Sequence, residues 1–229
     1  MKYAIIGAGQ YGSAIALGLA TKGAEVYVFD ADYNKVEAIK DDVAFAISLD
    51  ATDKKTLIAQ KIELMDAVVV AIGENFEATI LTALNLLDLN LPRVIVRASG
   101  HNQVRILKNL GVEEILTPEV EVADSITEKL INPSITAFLQ LPDDYEIAEI
   151  KAPVKAVTRS VTDLDLRNKY SLNLIAIKRA YTMKDDSGET VTEEHTMGVP
   201  KGDTVIYDTD TLVVFGTLTH IKRFIEINE

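Results

Sequence analysis

Gly7, Gly9 and Gly12 form a G-x-G-x-x-G run directly after the apolar stretch Tyr3–Ile6 and at the start of an amphipathic one. In a strand–turn–helix setting the first glycine permits the tight turn. The second lets a pyrophosphate approach the backbone, and the third lets helix and strand pack closely. Tyr3 to Thr21 carries no charge and follows Lys2, which superficially mimics a signal peptide or a single membrane span. Three glycines with Gln10 and Ser13 between Gly7 and Ser13 suit a turn far better than a hydrocarbon core. The expectation is strand, turn and helix in a soluble protein, any membrane role being supplied by a partner.

Further apolar runs follow at Val26–Phe29, Ala67–Ile72 and Val94–Val96, with a weaker one at Ala44–Leu49. Each is nearly continuous in apolarity, the pattern of strands covered on both faces. Between them lie stretches at helical spacing. Ala14, Leu17, Gly18 and Thr21 share one face before the Lys22-Gly23 stop, and Leu81, Leu84, Asn85 and Asp88 another, closed by Leu91-Pro92. Alternating β and α segments with right-handed crossovers give a doubly wound parallel sheet, an α/β Rossmann-like lobe.

After Glu114 the pattern changes. Thr117-Pro118-Glu119 reads as the start of a helix reaching about Ile131, where Asn132-Pro133 interrupts it. Ser134 to Leu141 reads as a second helical piece ending at Pro142-Asp143-Asp144, an acidic turn expected to be the domain boundary. The expected organisation is thus a nucleotide-binding lobe over 1–117, crossover and hinge helices over 118–143, and a small α+β lobe over 144–229. In that lobe Glu146–Ile150, Leu174–Lys178 and Thr211–Phe215 read as strands, and Asp163–Lys169 as a short helix. Met183–Glu194, with Ser187-Gly188, reads as an exposed hairpin loop, and a last helix begins near Leu218.

Asp30, at the end of the second run and about 20 residues beyond the glycines, sharpens the motif. A carboxylate there accepts both ribose hydroxyls and repels a 2′-phosphate, so NAD is favoured over NADP. Asp50-Ala51-Thr52 follows the third run, where an adenine can rest or where Asp50 simply caps the next helix. Gly73 and Asn75 follow the fourth run as site or turn. Arg97 closes a strand of Val and Ile at the carboxyl edge, with ligand phosphate or a structural carboxylate as its two partners.

An enzyme needs more. None of the eight tyrosines has lysine four residues later, and His101, His195 and His220 stand in no metal-ligand spacing. No Gly-Lys-Ser/Thr phosphate loop is present. With no cysteine, thiolate catalysis, disulfides and iron–sulfur ligation are excluded, and the lack of disulfides fits a reducing cytosol. The 23 basic against 35 acidic residues give a net charge of −12, which disfavours a nucleic-acid partner. A nucleotide site without acid–base machinery reads as a sensor.

The residues Gly7-Ala8-Gly9-Gln10-Tyr11-Gly12 with Asp30, Ile72-Gly73-Glu74-Asn75, Val96-Arg97 and Thr117-Pro118-Glu119 resemble an RCK domain, the regulator of potassium conductance. The stretch Asp163–Tyr170, then Asn173–Ile177, Gly202-Asp203 and Leu212–Gly216 resembles the companion C-terminal RCK lobe. The resemblance spans almost the whole chain and implies a cytosolic subunit of the bacterial Trk and Ktr type. Such subunits form homodimers that assemble into a ring of eight. The ring docks from the cytoplasm on a membrane potassium-channel subunit, which it gates through ligand-dependent shapes. Asn132-Pro133 is then the hinge between lobes, or a plain helix break.

The resemblance also implies ligands. Ktr-type members carry arginine at the third variable position of the glycine turn, reaching the γ-phosphate of ATP; Gln10 stands there here, as in Trk-type members associated with NAD and NADH. ATP or ADP remains open through Arg97 and a Mg or Ca ion on Glu119. In some relatives the small lobe binds cyclic di-AMP, and Asp165, Arg167, Asn173 and Leu174, with Pro200, occupy the matching positions. The competing reading is a surface ion pair between Asp165 and Arg167. Two other functions stay open: an NAD-dependent oxidoreductase, and a stand-alone cyclic di-AMP receptor.

Overall fold

A computed structural model describes residues 1–184 and 190–229. The chain divides into two compact units, Met1–Glu121 and Val122–Glu229.

In the first unit β1 (Lys2–Ile6), β2 (Glu25–Asp30), β3 (Phe45–Ser48), β4 (Ala67–Val70), β5 (Val94–Arg97) and β6 (Glu114–Leu116) lie in the order β3-β2-β1-β4-β5-β6. Every neighbouring pair is parallel. The order reverses direction between β1 and β4, the switch point at which such sheets bind ligands. The connecting helices are α1 (Gln10–Thr21), α2 (Tyr33–Glu37), α3 (Lys54–Ala59), α4 (Phe76–Asp88) and α5 (His101–Asn109), and α6 (Pro118–Ile131) starts at the end of this unit.

The continuous apolarity of the strands has a direct structural cause. Along β1, Ala4 and Ile6 enter a core with Val68, Val70 and Leu86, whereas Ile5 enters another with Val28, Val69 and Ala16. Successive side chains of a strand point to opposite faces, so a sheet covered on both sides needs apolar residues at consecutive positions. Each large side chain so buried contributes about 1.5–3 kcal/mol.

In the second unit β7 (Ile135–Gln140), β8 (Tyr145–Lys151), β9 (Asn173–Lys184), β10 (Thr190–Met197) and β11 (Asp210–Thr217) form an antiparallel sheet ordered β10-β9-β11-β8-β7. Its core joins Ile150, Leu172, Ile177, Leu212 and Val214 to Ile221 and Phe224 of α9 (Leu218–Asn228).

Four expectations are corrected here. Residues 134–141 are not helical: Ile135–Gln140 is strand β7, paired with β8 in the register Leu139↔Ile147 and Gln140↔Glu146. A short apolar run does not itself separate helix from strand. The turn decides it, because Asp143 and Asp144 have φ of 61° and 60°, the left-handed pair that closes a tight hairpin. The acidic turn at Pro142–Asp144 therefore joins two strands inside the second unit, whose first residue is Val122. The stretch read as a loop over Met183–Glu194 is largely strand, Met183 lying in β9 opposite Val191 of β10; Ser187-Gly188 lie outside the described residues. The helix expected over Asp163–Lys169 is split into α7 (Val161–Leu164) and α8 (Leu166–Tyr170) by Asp165 at φ 49°.

Candidate functional site

The three glycines of the first turn differ in what the fold asks of them. Gly7 has φ of +103°, and a Cβ there would stand 2.9 Å from the Ala71 carbonyl carbon. A Cβ on Gly12 would stand 1.8 Å from the Gly7 carbonyl oxygen. Both are required for α1 to pack on β1 and β4. Gly9 has ordinary extended backbone, φ −72° and ψ −178°, and a Cβ there would meet nothing within 4 Å. Nothing among the described residues accounts for a glycine at this position, whereas a ligand pressed against the backbone would.

Gly9 is also the N-cap of α1 and supplies no side-chain cap, so the first-turn amides are free to face an anion. Asp30 fastens the loop from the adjacent strand. The Ala8 N–H donates to Asp30 Oδ2 at 2.7 Å, and the Asp32 N–H donates to Oδ1 at 2.8 Å. Each carboxylate oxygen keeps a free lone pair for a ribose hydroxyl. Asp30 thus has a structural duty that the sequence did not show, alongside the position expected of a ribose acceptor. The fit of a dinucleotide or nucleoside phosphate to this loop rests on the open backbone at Gly9.

Arg97 lies across the same crevice. Its guanidinium sits 5.3 Å from the centre of the Tyr11 ring and packs on Gly73, where a Cβ would stand 2.9 Å from Nη1. Nη2 donates to the Glu119 carboxylate, while Nε is buried and has no hydrogen-bond partner among the described residues. Arg97 thus has a carboxylate partner within the chain and still carries an unused donor. The Glu119 carboxyl is held below its ordinary pKa, chiefly by the hydrogen bond from Arg97. Burial raises the Tyr11 phenol, with Glu121 adding to it and Arg97 opposing. Among the described residues no group of three or more His, Asp or Glu is arranged to hold a metal ion. A Mg or Ca ion on Glu119 would need donors from a ligand or a second copy.

The remaining positions resolve individually. Asp50 does not cap the next helix; Asp53 does, accepting from the Lys55 N–H. Asp50 instead accepts from the Thr52 N–H at 2.9 Å and its hydroxyl at 2.7 Å, and these bonds, the hydroxyl's first, lower its pKa. Ala51 is buried, and the Thr52 carbonyl accepts from Asn85 Nδ2 at 2.8 Å. Asn75 caps α4, accepting from the Ala78 N–H at 3.0 Å, and Ile72 packs against the core. Gln10 opens α1 and is exposed, as is His101 at the start of α5.

In the second unit Arg167 and Asn173 are brought together, Nε donating to Oδ1 at 3.0 Å. The Asp165–Arg167 ion pair is not formed; Asp165 accepts from Asn168 Nδ2 at 2.6 Å. Leu174 is half-buried against the core, and Pro200 follows β10 in a separate loop. Sequence reasoning missed Arg179, whose guanidinium grips the buried Asp210 carboxylate at 2.7 and 2.8 Å and stacks on Tyr207 at 4.2 Å. The signal was available only as two lone charges 31 residues apart on adjacent β-runs. Among the described residues no helix is long and apolar enough to cross a membrane.

Comparison with known proteins follows the same lines. Residues 3–118 match the TrkA-N domain family. The chain is 31% identical over 223 residues to the Ktr system potassium uptake protein C of Bacillus subtilis (strain 168), covering 97% of this chain and 95% of that one. It is 30% identical to the Ktr system potassium uptake protein A of the same organism over the same shares. Among solved structures, the GsuK RCK domain superposes with a TM-score of 0.54 at 19% identity, over 99% of this chain and 46% of that one. A GsuK channel bound to NAD gives 0.53 at 19% identity, over 98% of this chain and 38% of that one. The chain thus spans less than half of those solved chains, and they bear on its fold. With the family match reaching from β1 to the start of α6 and two potassium uptake proteins aligned over nearly their whole length, the chain belongs to the TrkA-N domain family.

Proposed function

We propose that this chain is a nucleotide-sensing regulatory subunit that gates a membrane potassium-uptake channel, and not an enzyme. The observation that carries the reading is Gly9, a glycine the fold does not need at the mouth of a switch-point crevice. The likeness to two potassium uptake proteins over almost the full chain supplies the process.

Gly9 and the first-turn amides of Gln10, Tyr11 and Gly12 would face the phosphates, and Asp30 the ribose. Asp50, Ala51 and Thr52 would border the adenine. Ile72, Gly73 and Asn75 would line the crevice edge, with Arg97 and Glu119 beside the terminal phosphates. Gln10 favours NAD or NADH over ATP or ADP, and a solved RCK-containing channel of the same fold is bound to NAD. The ligand supplies differential affinity for two assembly states, which is what shifts a gate. The assembly proposed is a homodimer built into a ring of eight, at the cytoplasmic face of the membrane through its channel partner. Cyclic di-AMP is a proposed second ligand near Asp165, Leu174 and Pro200, with Arg167 and Asn173 already in contact.

Titration of the purified protein with NAD, NADH, ATP and ADP, with and without magnesium, tests the reading. One class should bind saturably, and Asp30→Ala should weaken it about tenfold or more. Unchanged affinity would move the site, and steady oxidation of NADH by the protein would restore the oxidoreductase reading.

A further inference from the structure

The second unit contains a pocket of about 350 Å³ bounded by α6, the β7–β8 hairpin and the start of α9. Its wall carries four carboxylates, Asp124 and Glu128 from α6, Asp144 from the hairpin turn and Glu146 from β8, and no basic side chain. Glu146 is the informative one. It is 5% exposed, shares the inward face of β8 with Ala148 and Ile150, and no described donor hydrogen-bonds its carboxylate. Glu128, by contrast, is supported by Asn132 Nδ2 at 2.8 Å. Lys222 of α9 acts on Glu146 without forming an ion pair, and Glu128 and Asp144 oppose it. Its oxygens are not among the solvent-sealed unpartnered atoms of the described residues, which are Thr82 Oγ1 and Arg97 Nε. The carboxylate of this otherwise buried side chain opens into the polar pocket, which can admit a partner.

The chemistry of the occupant follows by elimination. The positive end of α9 at Thr217 offers about half a charge, too little to hold an anion against four carboxylates. No three of the acids are arranged to hold a metal ion together. The volume falls in the range of small-organic sites, about 300–1,000 Å³. Carboxylates too dispersed for one ion suit positive charges spaced along a chain. Ammonium groups only donate and carboxylates only accept, so the two sets match. We infer that this pocket binds an aliphatic di- or triamine, one ammonium pairing with Glu146 and another with the outer carboxylates of Asp124, Glu128 or Asp144. The site is separate from the nucleotide crevice and does not rest on that reading.

Calorimetric titration of the full chain with spermidine and putrescine at fixed ionic strength tests it. Saturable binding with one site per chain is expected, reduced at least tenfold by Glu146→Gln. Asp144→Asn, on an exposed turn whose left-handed backbone asparagine also adopts, should weaken it several-fold and serves if the first variant fails to fold. The pair Asp41→Asn and Asp42→Asn removes two charges, one more than either pocket variant, from an exposed stretch of the first unit and should leave binding unchanged. The inference is overturned if neither amine binds saturably, if all three variants lower affinity alike, or if Glu146→Gln and Asp144→Asn bind as the parent does. Competition by magnesium chloride at concentrations where matched sodium chloride has no effect would also overturn it, in favour of a metal site.

Discussion

Gly9 and Gly12 are identical in the motif and opposite in their expected response to alanine. At Gly12 the new methyl would lie 1.8 Å from the Gly7 carbonyl oxygen and 3.2 Å from the Ala71 Cβ. The nearest neighbour is backbone, so α1 must move away from β1. Overpacking of this kind costs about 1–3 kcal/mol and sometimes more, and a clash this deep belongs at the upper end. For a chain of this size about 3 kcal/mol lowers Tm by roughly 6–12 °C. At Gly9 the methyl meets nothing within 4 Å and φ is unstrained. A small loss at the helix cap is offset by about 0.4–1 kcal/mol from a less flexible unfolded chain, so Tm should move by no more than about 2 °C. The order inverts with ligand present. A nucleotide at one hundred times its Kd adds about 2.7 kcal/mol, or roughly 5–10 °C, to the parent. Gly9→Ala should lose most of that gain, because its methyl would occupy the space proposed for the phosphates. Thermal shift by differential scanning fluorimetry, with and without NADH and ATP, reads both effects. A Gly9→Ala protein with the parent's full ligand shift would refute the reasoning.

In the second unit, Asp210→Ala should cost about 3–5 kcal/mol by stranding the Arg179 guanidinium. A fall in Tm of roughly 6–20 °C is expected, and a fall under about 2 °C contradicts it. Glu146 gives a signed pH dependence. Its folded pKa is raised, by burial first and then by Glu128, with Asp144 adding and Lys222 opposing. Its stabilising contribution is therefore full below the ordinary carboxylate range and lost as pH rises through the raised value. Glu146→Gln, which mimics the protonated form, should match the parent's Tm near about pH 4 and exceed it increasingly toward neutrality. A difference constant across that range would contradict the assignment.

Most of the first unit was legible because each strand carries its own signal. Val26–Phe29 and Ala67–Val70 are apolar at successive positions, and both of their faces prove to be covered. The glycine turn and Asp30 could be placed from spacing alone, since the motif needs a strand before it and a helix after it. What the spacing did not reveal was the difference between Gly9 and Gly12, which depends on the Gly7 carbonyl across the turn. Arg97 stood out as a lone cation closing an apolar strand, but its pairing with Glu119 joins residues 22 apart. The second unit was harder to read. Ile135–Gln140 has apolar residues compatible with helix or strand, and only pairing with β8 through two left-handed aspartates decides between them. The acids of the pocket come from α6, the hairpin turn and β8, so no local window of sequence contains all four.

The most direct test of the regulatory reading is potassium flux. Proteoliposomes holding the cognate membrane transport subunit would be assayed with the purified protein, with and without the nucleotide that binds it. Flux should depend on nucleotide when the parent protein is present and lose that dependence with Gly9→Ala, which remains folded. Flux indifferent to nucleotide at saturating occupancy would contradict the assignment of this crevice as the sensor.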